Sequence, residues 1–264
     1  MGNGKVRSVG MGMSMQGSGI ANVDIGSVEI KLQDDGFYTL AIGATDMGTG
    51  CDTILAQMAA ECLDCDVDQV ITQGVDTDFS PYDTGSYASA TTYVTGMAVV
   101  KACETLREQI VAQAAVLLDV DPSHICFDGT MITAAEDSKS ISLKDFANQC
   151  FAGGKGKVLI ASASHVSPTS PPPFMAGIAE VDVDKLTGEI KVHDYVAVVD
   201  CGTVINPNLA RIQTEGGIAQ GIGMALFEEI GYDHNGRMQN SSFMQYKIPT
   251  RLDVGNIRVD FESS

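Results

Sequence analysis

Residues 28–50 read VEIKLQDDGFYTLAIGATDMGTG, and the order of features in this stretch sets the fold class. Val28, Ile30 and Leu32 alternate with Glu29 and Lys31, the period of a strand with one buried face. Asp34-Asp35-Gly36 is a tight turn, and the apolar run Phe37 to Ile42 is a second strand. A glycine-rich loop, Gly43 to Gly50, then runs into a helix expected near Cys51 to Thr53, with Ile54, Met58 and Cys62 on one face.

The same order of hairpin, loop and helix recurs downstream. Ile178 to Asp182, the turn Asp184 to Gly188 and Glu189 to Val199 form the second hairpin, and Asn206-Pro207-Asn208 opens a helix to about Ile230. Between the two lie a short strand at Val70 to Thr72 and an irregular stretch from Asp76 to Ala90. A long helix follows from about Tyr93 to Leu118, with Val99, Cys103, Leu106, Ile110 and Leu117 on one face, and a shorter one from Leu143 to Cys150. HVSPTSPPPF at 165–174 holds four of the eight prolines and reads as an extended connector. The expected fold is α+β, mixed sheets with hairpins and packed helices, divided into 1–164 and 165–264.

The chain has 264 residues, 44% of them hydrophobic, enough for a substantial core. Its net charge of −18 argues against nucleic acid and against an anionic membrane surface. No apolar run is long enough to span a bilayer, and Met1 to Gly19 lacks the apolar core of a secretory signal. Seven scattered cysteines read as reduced thiols of a cytoplasmic protein.

Three segments have the composition of a ligand site. Thr45, Asp46, Met47, Gly48, Thr49 and Gly50 precede a helix, where glycines let a ligand approach the backbone and free N–H groups attract anions. An ordinary strand-to-helix turn reads the same way. DTGSYASATT at 83–92 also runs into a helix; its hydroxyls and amides suit a phosphate or simply cap the helix. Gly216, Gly217, Gly221 and Gly223 cost their helix roughly 1 kcal/mol each relative to alanine. That implies a bare surface, either for close packing of another element or for a flat ligand to which Gln220 donates. Cys62-Leu-Asp-Cys65 lacks a second pair for zinc, the histidines show no ligand spacing, and no metal ligands or catalytic triad emerge.

These segments, in this order, resemble the molybdopterin-binding subunit of the molybdenum hydroxylases of the xanthine dehydrogenase/aldehyde oxidase type. The resemblance rests on ATDMGTG at 44–50, PYDTGSYAS at 81–89, DxxTGEI at 184–190, DCGTVINP at 200–207, EGGIAQGIGMALFEE at 215–229 and YKIPT at 246–250, followed by the Asn-Ile-containing strand at 256–261. It implies a fold like the molybdopterin-binding domain of xanthine dehydrogenase. It also implies a molybdenum cofactor, as molybdopterin cytosine dinucleotide, held by Thr45 to Gly50, by Gly85, Ser86, Ala88, Ser89, Thr91 and Thr92, and by Gln220 and Gly221. Thr49 and Ala90 depart from the glutamine and arginine that the family often has there.

The resemblance further implies a hydroxylase of a small N-heteroaromatic substrate, nicotinate or a purine, with oxygen from water. FAD and iron–sulfur clusters belong to partner subunits, and a second molybdopterin-subunit polypeptide supplies the GGxGGK loop. The family's catalytic glutamate sits in a GxGE motif that this sequence lacks, so the chain alone is expected to be inactive and to contain no catalytic residue. The resemblance extends to family members whose molybdenum subunit is divided into two polypeptides, such as the medium molybdopterin subunit of nicotinate dehydrogenase-type enzymes. The alternative is a non-catalytic remnant or interaction module with the same fold and no cofactor.

Overall fold

The computed structural model describes residues 4–134, 139–152 and 156–263; the first three residues of the Met1 to Gly19 segment lie outside them. The chain divides into a central unit, Gly17–Pro171, and a terminal unit made of the residues up to Gln16 and from Pro172 onward. The division expected at 164/165 differs from this one by a few residues at the connector, and by assigning the first sixteen residues to the other part.

The terminal unit opens with β1 (Lys5–Met15), which pairs antiparallel along its whole length with β9 (Phe174–Asp184). Gly10, Gly12 and Ser14 fill alternate positions of β1 and are poor strand formers, so its backbone pairing with β9 holds the strand.

The central unit contains β2 (Ile25–Leu32) and β3 (Tyr38–Ile42), the hairpin read from the alternation. With β4 (Val70–Gln73) and β8 (Ile160–Val166) they form a mixed sheet in the order β4-β3-β2-β8. Val28, Ile30 and Leu32 face the same side as their cross-strand partners Ile42, Leu40 and Tyr38, and all six are buried. Two helices pack here, α1 (Cys51–Leu63) and α2 (Thr91–Leu118). Val99, Cys103, Leu106 and Ile110 of α2 are buried as expected, whereas Leu117 is only half-buried. The approach of α2 to β2 is close: a Cβ on Gly26 would stand 2.6 Å from Thr95 Cα. A small meander, β5 (Ile125–Phe127), β6 (Met131–Ala134) and β7 (Ser140–Ser142), leads to α3 (Leu143–Ala152).

The terminal unit continues from β9 through the expected turn to β10 (Ile190–Asp200). After α4 (Pro207–Leu226) the chain returns as β11 (Asn256–Phe261), parallel to β10, giving the order β1-β9-β10-β11. Ile218 and Ile222 of α4 pack on Val192, Ala197 and Val254. α4 ends four residues before the expected Ile230. The chain folds back there: the amides of Phe227 and Glu228 both donate to Gly223 O, and the Glu228 carboxylate accepts the Tyr246 hydroxyl at 2.6 Å. The architecture is the expected α+β with mixed sheets and, among the described residues, four α-helices. No described helix is long and apolar enough to cross a membrane.

Candidate cofactor-binding site

The central unit brings two of the three sequence segments together. The Ser86 hydroxyl donates to Thr45 O at 3.0 Å. A Cβ on Gly43 would stand 2.4 Å from Pro81 O and 2.7 Å from Asp83 Cβ, so the loops after β3 and before α2 touch backbone to side chain. Twelve of the expected site residues, Thr45 to Gly50 and the six from Gly85 to Thr92, therefore share one neighbourhood.

The loop at 45–50 handles charge differently from its sequence expectation. The Asp46 carboxylate accepts the amides of Gly48 at 2.8 Å, Gly50 at 3.1 Å and Asp52 at 3.4 Å. Burial works against the Asp46 charge, but these N–H groups bring its pKa below the ordinary carboxylate value. The amides expected to await a ligand anion at the head of α1 are thus engaged by the protein's own carboxylate. What the loop offers outward is the exposed Thr45, Met47 and Gly48; Gly48, at φ 103, has nothing within 4 Å of a Cβ position.

The loop at 83–92 differs. Asp83 accepts the Gly85 amide at 2.8 Å and the Thr95 hydroxyl at 2.9 Å, which fixes the turn. Gly85, Ala88 and Ser89 all have positive φ, at 119, 50 and 56 degrees. The N-cap of α2, Ala90, provides no side-chain cap, and no acidic residue stands in the first turn. A 28-residue helix therefore meets this loop with a positive end that its own residues do not neutralise. Asp83 opens the segment read from the sequence but was not among its residues expected to hold the cofactor; Asp two residues before Gly is a recognisable turn-former.

Gln220 and Gly221 lie on α4 in the terminal unit. Gly217 and Gly221 line an apolar groove of about 800 Å3 together with Phe174, Met175, Val181 and Ile190. Gln220 is exposed and does not line it. The four glycines have two explanations. Gly223 is bare for packing within the unit, since a Cβ would meet Glu228 Oε1 at 2.2 Å and Pro249 Cδ at 2.9 Å. Gly216, Gly217 and Gly221 have nothing within 4 Å of a Cβ position.

Other nucleophiles and ligands are quiet. Burial, with Asp46 and Asp52 alongside, pushes the Cys51 thiol up to about 12. Burial first and then neighbouring acids push Cys62 up and raise Cys65 to about 11, so the CxxC pair is a poor source of thiolate. Asp46, Cys51 and Asp52 bring their donor atoms within 4.8 Å of one another, but Asp46 is committed to the amides and the thiol stays protonated.

Residues 1–255 match the molybdopterin cofactor-binding domain family. This chain belongs to that family, within the molybdenum hydroxylases. It is 34% identical over 244 residues to the xanthine dehydrogenase molybdenum-binding subunit of Escherichia coli O157:H7, covering 90% of this chain and 32% of that protein. It is 31% identical over 252 residues to the nicotine 6-hydroxylase large subunit of Paenarthrobacter nicotinovorans, covering 91% and 30%. Among solved structures, quinoline 2-oxidoreductase from Pseudomonas putida 86 superposes with a TM-score of 0.88 at 28% identity, over 99% of this chain and 35% of that one. The chain thus spans about a third of the length of these relatives.

Proposed function

We propose that this chain is the part of a molybdenum-dependent hydroxylase that grips and orients a molybdopterin cytosine dinucleotide. The substrate is a small N-heteroaromatic compound, a purine or nicotinate; the relatives named for xanthine, nicotine and quinoline support that class. The observation that carries the reading is the uncapped N-terminus of α2, facing a loop of left-handed residues that also touches the loop at 45–50.

These residues fit the group. Amides in the first turn of α2, at Thr91 and Thr92, would meet the diphosphate, with Gly85, Ser86, Ala88 and Ser89 forming the cradle. Thr45, Met47, Gly48 and Thr49 would contact the same group through exposed side chains and carbonyls, since Asp46 holds the amides. Gln220 would donate a side-chain hydrogen bond, with Gly221 leaving the helix surface open beside it. When bound, the molybdenum centre supplies two-electron oxidation with insertion of oxygen from water. This chain contributes position and electrostatics to that chemistry and no general base. FAD and iron–sulfur clusters would reside on partner subunits, and a second molybdopterin-subunit polypeptide would complete the site.

The test is co-production with the neighbouring polypeptides, followed by measurement of molybdenum and of cytosine nucleotide released by acid from the purified complex. Near-equimolar amounts of both are expected. A complex that assembles without either would sink the proposal in favour of a non-catalytic interaction module.

A further inference from the structure

Two consecutive residues of the proposed cofactor loop, Ala88 at φ 50 and Ser89 at φ 56, are left-handed, and neither is a glycine. They are the corner residues of a turn closed by the Ala90 amide, which donates to Tyr87 O at 3.1 Å. Side chains disfavour this backbone, so the turn keeps its shape only where its surroundings hold it. The Ala88 carbonyl takes no part in the closing bond, and it accepts the Gly19 amide at 2.7 Å. Gly19 is buried against the first turn of α2: a Cβ there would stand 3.3 Å from Val94 Cγ2 and 3.6 Å from Ala90 Cβ, and its φ of +75 suits a residue without one.

The other side of Gly19 faces the proline-rich connector. Its carbonyl accepts the Ser170 hydroxyl at 2.5 Å. Ser170 reaches it across Gly17, where a Cβ would overlap Oγ and stand 3.2 Å from Ser170 Cβ. The Asn22 amide adds a second tie, to Ser167 O at 2.8 Å. Two hydrogen bonds through one glycine, Ser170 hydroxyl to Gly19 carbonyl and Gly19 amide to Ala88 carbonyl, therefore link the connector to the turn that leads into α2.

We propose that Ser170 is a positioning residue: it fixes the Gly19 backbone, and Gly19 holds the turn at 87–90 in the shape that presents the α2 N-terminus to the cofactor's diphosphate. The significance of that shape rests on the function proposed above. Ser170 acts through Gly19 and not by contact with the cofactor.

The experiment uses Ser170→Ala, Ser170→Thr and Gly17→Ala in the full chain co-produced with its partner polypeptides. Amide hydrogen exchange is read at Gly19 and Ala90, with Cys150 of α3 as the reference, and cytosine nucleotide retained per complex is read after gel filtration. Ser170→Ala should speed exchange at Gly19 and Ala90 by about fivefold, the worth of one hydrogen bond, leave Cys150 unchanged and lower nucleotide retention. Gly17→Ala should do the same by displacing the hydroxyl, and adding Ser170→Ala to it should cost nothing further. Ser170→Thr keeps the hydroxyl, in the extended backbone that the following Pro171 favours, and should keep most of the wild-type behaviour. Wild-type exchange at both amides in Ser170→Ala would overturn the proposal. So would loosened amides with full nucleotide retention, a Thr variant no better than Ala, or equal acceleration at Cys150, which would mean a general loss of stability. If Gly17→Ala does not fold, the two variants at the exposed Ser170 decide. A wild-type complex that contains no nucleotide would instead remove the proposed function, and the exchange measurements alone would then decide whether Ser170 holds the loop.

Discussion

Asp46 competes with any ligand for the amides at the head of α1, and its effect on stability has a definite sign. Its folded pKa is depressed, so its contribution is fully present above the unfolded carboxylate value of about 4 and is lost as pH falls through the lower folded value. We expect the thermal midpoint of the wild-type chain to exceed that of Asp46→Asn at neutral pH, with the gap closing below roughly pH 4. A gap independent of pH would mean that the amide bonds do not depend on the charge. The α4 glycines separate at the same scale. Gly221→Ala should raise stability by about 0.5–1 kcal/mol in urea unfolding, because alanine favours helix and the position is open. Gly223→Ala should lower it, since the new methyl meets Glu228 and Pro249. Equal effects at the two sites would refute the distinction. The glycines announced themselves in the sequence as a cost without a visible return, but not which of them served packing.

For the elements, the alternation in β2 and the apolar run of β3 made the first hairpin legible, because one face of that pair is buried throughout. The partner of β1 was not legible, because its ladder is satisfied by backbone pairing with β9, more than 150 residues away in sequence. α2 carries the charge argument. Thr92 is exposed in its first turn, where a carboxylate would meet the helix dipole. Thr92→Glu should stabilise the cofactor-free chain by about 0.3–1 kcal/mol and weaken retention of an anionic cofactor in the assembled complex. A variant that is stabilised and still retains the nucleotide fully would remove the α2 terminus from the site.

Within the terminal unit, β1 is exposed along its length. Val9, Met11, Met13 and Met15 alternate along β1, and their registers place them beside Phe174 and Ile178 of β9. Val9 is 62% and Met13 78% exposed, on an edge strand with no charged residue after Arg7. Net charge of −18 opposes a second copy as the cover, so we expect other polypeptide of the same molybdenum subunit to lie here. Met11→Ser with Met13→Ser should reduce binding of a hydrophobic dye by the isolated chain and reduce recovery of the partner polypeptide in co-purification. Unchanged recovery would place the contact elsewhere. The isolated chain should turn over no N-heterocycle even with molybdenum cofactor supplied, and any turnover would show that the catalytic machinery is complete without partners.

The pairing of β1 with β9 makes the central unit a guest within a host. The host's two chain segments meet where Met15 pairs with Phe174 and the Gln16 amide donates to Pro173 O. The guest's own ends meet where the Ser18 amide donates to Pro171 O at 3.0 Å. Folding of the guest therefore performs the ring closure that the host's edge strand requires, leaving little chain entropy for β1 to lose when it docks. Excision of residues 17–171, with a short glycine bridge from Gln16 to Pro172, should leave a host that still pairs β1 with β9. A destabilised guest in the intact chain should release β1 first.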